Sequence, residues 1–256
     1  MKLELTNGNY EVYERGEVSA RPTLLFLHYF AGSSRAWYEV IAQLENSNYC
    51  LALDLRGFGA SVSFNDAYAV EDYASDVTEL AQKLNLTRYI LVGHSMGGKV
   101  ALAVAARQPK GLEALLLCAP SPPSPEPMTE TERRRLLSTH GSRAAALETI
   151  QKIVAHPLPA PLLERAVEDN LRSGARAWQA WLEQGSRADI SGLMKQITVP
   201  VKVVVGAADP VISPALLKSA LLGQLASSSL EIIADAGHLL PLEVPEKLAS
   251  FIQTKL

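Results

Sequence analysis

The chain has 256 residues, 48% of them hydrophobic and 20% charged, with a formal net charge of -3. That is enough apolar material for one large core, or for a core with a small appended unit. The charge balance offers no clustered basic face, so nucleic acid and anionic membranes are not expected as partners.

The N-terminal stretch from Met1 to Gly8 is polar, and no run approaches the roughly 18 apolar residues of a membrane span, so neither secretion nor insertion is expected. The runs Leu3 to Thr6 and Tyr10 to Tyr13 flank Asn7-Gly8-Asn9, where an Asn-Gly pair favours the left-handed backbone of a hairpin turn. Short apolar runs of buried-strand type follow: Thr23 to Leu27, Tyr49 to Leu53, Tyr89 to Val92, Ala114 to Cys118, Val201 to Val205 and Leu230 to Ile233. Helical patterns separate most of them. Trp37, Val40, Ile41 and Leu44 share one face, as do Tyr73, Val77, Leu80, Ala81 and Leu84, while Val100 to Ala106, within the helix-like stretch Met96 to Arg107, is apolar nearly all round. Such alternation predicts a mainly parallel sheet covered on both faces. The two cysteines, Cys50 and Cys118, fall in predicted buried strands as small hydrophobes, and a reducing cytoplasm is the simplest compartment.

One segment breaks the alternation. Residues 120–127 read Pro-Ser-Pro-Pro-Ser-Pro-Glu-Pro, too proline-dense for a helix or sheet interior, and from Thr129 to about Ala188 only helical patterns occur. Leu136, Leu147, Ile150, Val154, Trp178, Trp181 and Leu182 are too apolar for a disordered linker. The pattern predicts a helical lid over 121–190, inserted into a core of 1–120 and 191–256, with strand character returning at Ile197-Thr198-Val199-Pro200. The basic run Arg133-Arg134-Arg135, preceded by acidic residues, reads as a solvated helix face.

Gly93-His94-Ser95-Met96-Gly97 lies between a strand-like run and a helix-like one. A serine at a sharp strand-to-helix turn needs glycine-sized neighbours two positions away on either side, and the turn pushes its hydroxyl into a cleft. The next amide, that of Met96, is left free at a helix N-terminus to bind an oxyanion. A serine hydroxyl is a weak nucleophile without a base, and the base works best when a carboxylate orients it. In a parallel sheet both partners should emerge at the carboxyl ends of later strands. Asp209 and His238 do so, in the order Ser95, Asp209, His238.

At these blocks the chain resembles the α/β-hydrolase fold family, in particular its small capped serine hydrolases: esterases, meta-cleavage-product hydrolases and cofactor-free haloperoxidases. The resemblance rests on Leu25-Phe26-Leu27-His28, residues 54–61, Gly93 to Gly98, residues 206–210 and residues 236–241, and covers nearly the whole chain with the lid weakest. It implies a mostly parallel eight-stranded sheet flanked by helices, with a helical lid between two strands. It makes Ser95 the nucleophile, His238 the general base and then acid, Asp209 the orienting carboxylate, and Met96 one backbone oxyanion donor. By position Phe30 supplies the second donor, although Tyr29 stands where the family usually has glycine, and a tyrosine adopts positive φ only at a cost. Tyr29, Trp178 and Trp181 are candidate pocket residues.

Competing residues read as structural. Asp54 belongs to a loop of the Asp54-Leu55-Arg56-Gly57 type, Asp235 to a surface turn, and His28 and His94 to hydrogen-bonded supports of the site. His140 and His156 have no partner at metal-ligand spacing, so no metal and no cofactor is expected. The expected activity is hydrolysis of a small, largely apolar ester or related acyl compound through an acyl-enzyme on Ser95. A carbon-carbon bond hydrolase of diketones and a perhydrolase would use the same triad, and a ligand-sensing receptor that retains the triad is the alternative outside enzymology. A serine nucleophile argues against the family's dehalogenases and epoxide hydrolases, which need a carboxylate there.

Overall fold

The structure is a computed structural model that describes residues 1–254. It opens with an antiparallel hairpin of β1 (Lys2–Leu5) and β2 (Gly8–Arg15), closed by the two-residue turn Thr6-Asn7. This corrects the expected Asn7-Gly8-Asn9 turn: neither Asn7 nor Gly8 has positive φ, and Gly8 already pairs with Leu5 as the first residue of β2. Glycine is needed there for space, since a Cβ would sit 2.4 Å from the Val62 carbonyl oxygen of β5 (Val62–Ser63), which pairs with β2.

The next elements are β3 (Thr23–Leu27), α1 (Tyr38–Leu44), β4 (Cys50–Leu53), α2 (Val70–Lys83), β6 (Tyr89–His94), α3 (Met96–Ala106) and β7 (Leu112–Cys118). Then come α4 (Glu130–Ser138), α5 (Arg143–Ile153), α6 (Ala160–Leu171) and α7 (Ala175–Glu183), with no strand between β7 and β8 (Val201–Gly206) among the described residues. The chain closes with α8 (Pro214–Ala220), β9 (Ser228–Ile233), α9 (Leu240–Glu243) and α10 (Pro245–Thr254). Residues 197–200 are not a strand, contrary to the expected return of strand character at Ile197; the strand begins at Val201. Ile197 caps a 3-10 turn over Ser191–Gln196, and Pro200 has no N–H to donate to a ladder.

The main sheet runs β1-β2-β4-β3-β6-β7-β8-β9, antiparallel at its first two junctions and parallel from β4 onward. Every residue of β3, β4 and β6 is buried, which explains why these strands read as unbroken apolar runs. Helices α1 and α10 pack together, as do α2 and α3. The chain passes from β3 outward to β4, then returns across β3 to β6 and continues the other way. The connections after β3 and β6 therefore leave in opposite directions, opening a crevice at the carboxyl ends of these two strands. No described helix is long and apolar enough to cross a membrane.

Arg133 departs from the expected solvated face. It is only 4% exposed and its guanidinium donates to the Leu182 carbonyl and, at 2.7 Å, to the Ser186 hydroxyl, pinning α4 to the end of α7. Arg134 and Arg135 fit the expectation better: Arg134 is exposed, and Arg135 pairs with Glu132 on its own helix.

Candidate active site

Ser95 sits at the junction of β6 and α3 with φ 51° and ψ -115°, a strained conformation for a residue with a Cβ. The neighbouring glycines make the turn possible by close approach. A Cβ on Gly93 would fall 2.6 Å from the Gly97 carbonyl oxygen, and one on Gly97 would fall 2.5 Å from that of Leu27. The Gly97 amide donates to the His28 carbonyl at 3.1 Å, stitching the Ser95 turn to the loop that follows β3.

Asp209 and His238 follow β8 and β9, as the strand-end argument requires. The His238 Nε2 lies 3.0 Å from the Ser95 hydroxyl oxygen, and its Nδ1 lies 2.8 Å from Asp209 Oδ2. The other carboxylate oxygen, Oδ1, accepts from the amides of Val211 and Ile212, both at 2.8 Å, so the carboxylate is held at both ends. The histidine loop is fixed from below and from the side. The His94 Nε2–H donates to the His238 carbonyl at 2.8 Å, while the His238 amide donates to the Ile153 carbonyl at 2.8 Å. Glu243 accepts from the amides of Gly237, Leu239 and Ala155.

The amides of Phe30 and Met96 donate to no group among the described residues and flank the stitched junction where the serine emerges. Tyr29 does not take the positive φ that a glycine in its place would allow; Ala31 does, at 65°. The left-handed step is thus displaced by two residues, and the Tyr29 ring fills the space beside Gly32, where a Cβ would meet it at 2.7 Å.

The supporting residues behave as the sequence suggests. The His28 Nδ1–H donates to the Tyr29 carbonyl at 2.7 Å and its Nε2 accepts from the Leu55 amide at 3.0 Å, which fixes one neutral tautomer. Burial pushes the pKa of His28 down and that of His94 well down, favouring the neutral imidazole in both. Asp54 accepts from the amides of Ser34 (2.6 Å) and Ala60 (2.7 Å), whereas the His238 Nδ1 is paired with Asp209. Arg56 and Asp76 form a buried ion pair behind it. Asp235 is exposed in a turn with φ 57°. The His140 Nε2 donates to the Ser173 carbonyl.

Ser95 and His238 open into a cavity of about 380 Å³. The wall contributed by the sheet ends holds Tyr29, Phe30, Pro210, Val211 and Ile212; the facing wall, from α4 to α7, holds Leu136, Ile150, Ile153, Trp178 and Trp181. The Phe30 ring lies 4.7 Å from that of Trp178 and 6.4 Å from that of Trp181, and the Trp178 indole N–H donates to the Leu136 carbonyl. All three candidate pocket residues therefore line the cavity. Sequence reasoning missed Glu126, which lines it as well, and the buried Lys99.

Lys99 lies on α3 one turn beyond Ser95 and is fully buried. Its ammonium donates to the carbonyls of Ala188 (2.7 Å), Ser124 (3.2 Å) and Gly185 (3.4 Å), tying α3 to both ends of the α4–α7 segment. Burial pushes its pKa down to about 8. Between about pH 8 and the ordinary lysine range the unfolded chain holds this proton and the folded chain has lost it, so stability from this group rises with pH across that window. Lys99→Met should lose about 1–3 kcal/mol of stability at pH 7 by orphaning three carbonyls. The deficit relative to the native chain should widen from pH 8 to pH 10 in urea titrations.

The description "Alpha/beta hydrolase family" belongs to a sequence model that matches residues 24–251, and the chain belongs to that family. It is 24% identical over 266 residues to monoacylglycerol lipase abhd6-B of Xenopus laevis, covering 96% of this chain and 79% of the lipase. It is also 24% identical over 242 residues to 3-oxoadipate enol-lactonase 2 of Acinetobacter baylyi, covering 93% of this chain and 88% of that enzyme. An esterase from Exiguobacterium antarcticum superposes with a TM-score of 0.87 at 22% identity over 97% of this chain and 95% of its own, a likeness of fold.

Proposed function

We propose that the protein is a serine hydrolase that cleaves a small, largely apolar ester or related acyl compound through an acyl-enzyme on Ser95. The observation that carries this reading is the continuous line Asp209, His238, Ser95, with contacts of 2.8 and 3.0 Å; the amides of Phe30 and Met96, which donate to no group among the described residues, are the proposed oxyanion donors. His238 Nε2 takes the Ser95 proton as the oxygen attacks the carbonyl carbon. The negative charge that develops on the carbonyl oxygen meets the two amides. His238 then gives its proton to the leaving oxygen, and in the second half it deprotonates the water that releases the acid. The names of the lipase and the enol-lactonase, both enzymes that open esters, support the same chemistry. The cytoplasm remains the proposed compartment, in keeping with two cysteines that are both unpaired.

The test is chemical labelling. A fluorophosphonate should add once to the intact protein, and peptide mapping should place it on Ser95; labelling at another residue, or none, overturns the assignment.

Residues 121–190 act in this reading as a lid that selects the substrate while the core performs the chemistry. Support comes from the facing wall of the cavity, which α4 to α7 supply. One methylene in such a pocket is worth roughly 1–3 kcal/mol of discrimination. Trp181→Phe should therefore change the ranking of p-nitrophenyl ester chain lengths by several-fold while changing the rate of Ser95 labelling by a small phosphonate less. An unchanged chain-length profile would make this wall structural.

A further inference from the structure

Glu126 is the charged side chain of the cavity that the proposed chemistry does not use. It lies in the proline-rich exit after β7, where its amide donates to the Ser186 carbonyl at 2.8 Å, and it lines the same cavity as Ser95 and His238. The other charged lining residues are neutralised within their own helices: Glu132 by Arg135 and Lys152 by Glu148. Among the described residues Glu126 has no cation within 4.0 Å. Burial among its neighbours raises its pKa, while the Ser121 hydroxyl beside it and the more distant charges of Lys99 and His238 act in the opposite direction. A carboxyl in a wall of Phe30, Trp178, Trp181 and Ile153 is costly unless a bound group completes its hydrogen bonding.

We propose that Glu126 determines specificity by accepting a hydrogen bond from a hydroxyl on an uncharged substrate and by disfavouring esters that carry a carboxylate. The proposal rests on the hydrolase reading above and adds the substrate's chemical class to it. A substrate hydroxyl supplies a further donor to the carboxylate, beside that of Ser121. A substrate carboxylate brings a second negative charge beside a half-buried carboxyl, where like charges repel more than they do in bulk water. Discrimination thus arises from attraction of one class and repulsion of the other at a single side chain.

The experiment compares kcat/KM within two matched series. On the alcohol side these are glyceryl monobutyrate and propyl butyrate; on the acyl side, methyl 6-hydroxyhexanoate, methyl hexanoate and monomethyl adipate. In at least one series the native enzyme should prefer the hydroxyl-bearing ester to the plain alkyl ester, and it should discriminate against the adipate by about tenfold or more. Glu126→Gln should raise the adipate-to-hexanoate ratio about tenfold, and Glu126→Leu should abolish the preference for the hydroxyl. Ratios within one variant cancel any change in the folded fraction, and the native ranking stands even if a variant fails to fold. A native preference for the adipate, or ratios that neither substitution moves, overturns the proposal while leaving the hydrolase reading intact. Absence of both Ser95 labelling and ester turnover overturns the two together.

Discussion

Ser95→Ala should lower ester turnover by on the order of 10⁴ to 10⁶ while leaving the fold nearly unchanged. The hydroxyl has one hydrogen bond in the site, to His238, and the structural duties of residue 95 are carried by its backbone. Its carbonyl accepts from the amides of Gly98, Lys99 and Ser121, and its amide donates to the Cys118 carbonyl; alanine keeps all four. The strained φ of 51° also costs alanine much what it costs serine, so the substitution neither relieves nor adds strain. Melting temperature should therefore shift little, and an inert substrate analogue should bind with nearly native affinity. Near-native turnover by the purified variant would remove Ser95 as nucleophile.

The parts of this molecule legible in the sequence are those set by burial on both faces of a sheet or by sharp local geometry. β3 was readable to the residue because all five of its side chains are apolar or β-branched and buried. Ser95 was readable because only glycine fits at 93 and 97, and the pairing of Asp209 with His238 followed from placing each after a strand. β5 was not readable, since two residues carry no period. Gly8 was misread because turn chemistry and close packing both select glycine, and only the position of the Val62 carbonyl separates them. Arg133 was misread by composition, yet helical spacing places it on the same face as Leu136, which is also buried, and that spacing was available. Lys99 and Glu126 had no local signal. Their environments are made by carbonyls and rings far away in the chain, the Gly185 and Ala188 carbonyls around Lys99 and the lining rings of Phe30, Trp178 and Trp181 around the cavity that Glu126 shares.

Asp209→Asn should reduce turnover by on the order of 10⁴ through the tautomer of His238 rather than through loss of structure. Oδ1 accepts from two amides, Val211 and Ile212, so in the variant the side-chain oxygen must stay there and the new amide nitrogen must face His238 Nδ1. That nitrogen donates, so Nδ1 becomes an acceptor and the imidazole proton moves to Nε2. The nitrogen facing Ser95 then already carries a proton and has no lone pair with which to accept the hydroxyl proton. The variant should therefore fold normally, with phosphonate labelling of Ser95 slowed in step with turnover. Asp235→Asn is the control: the residue is exposed, and asparagine tolerates its left-handed φ of 57° as well as aspartate does. Turnover of this second variant should stay within about twofold of native, because exposed substitutions away from the reacting groups rarely matter. Equal losses from the two substitutions in folded protein would refute Asp209 as the group that orients the histidine.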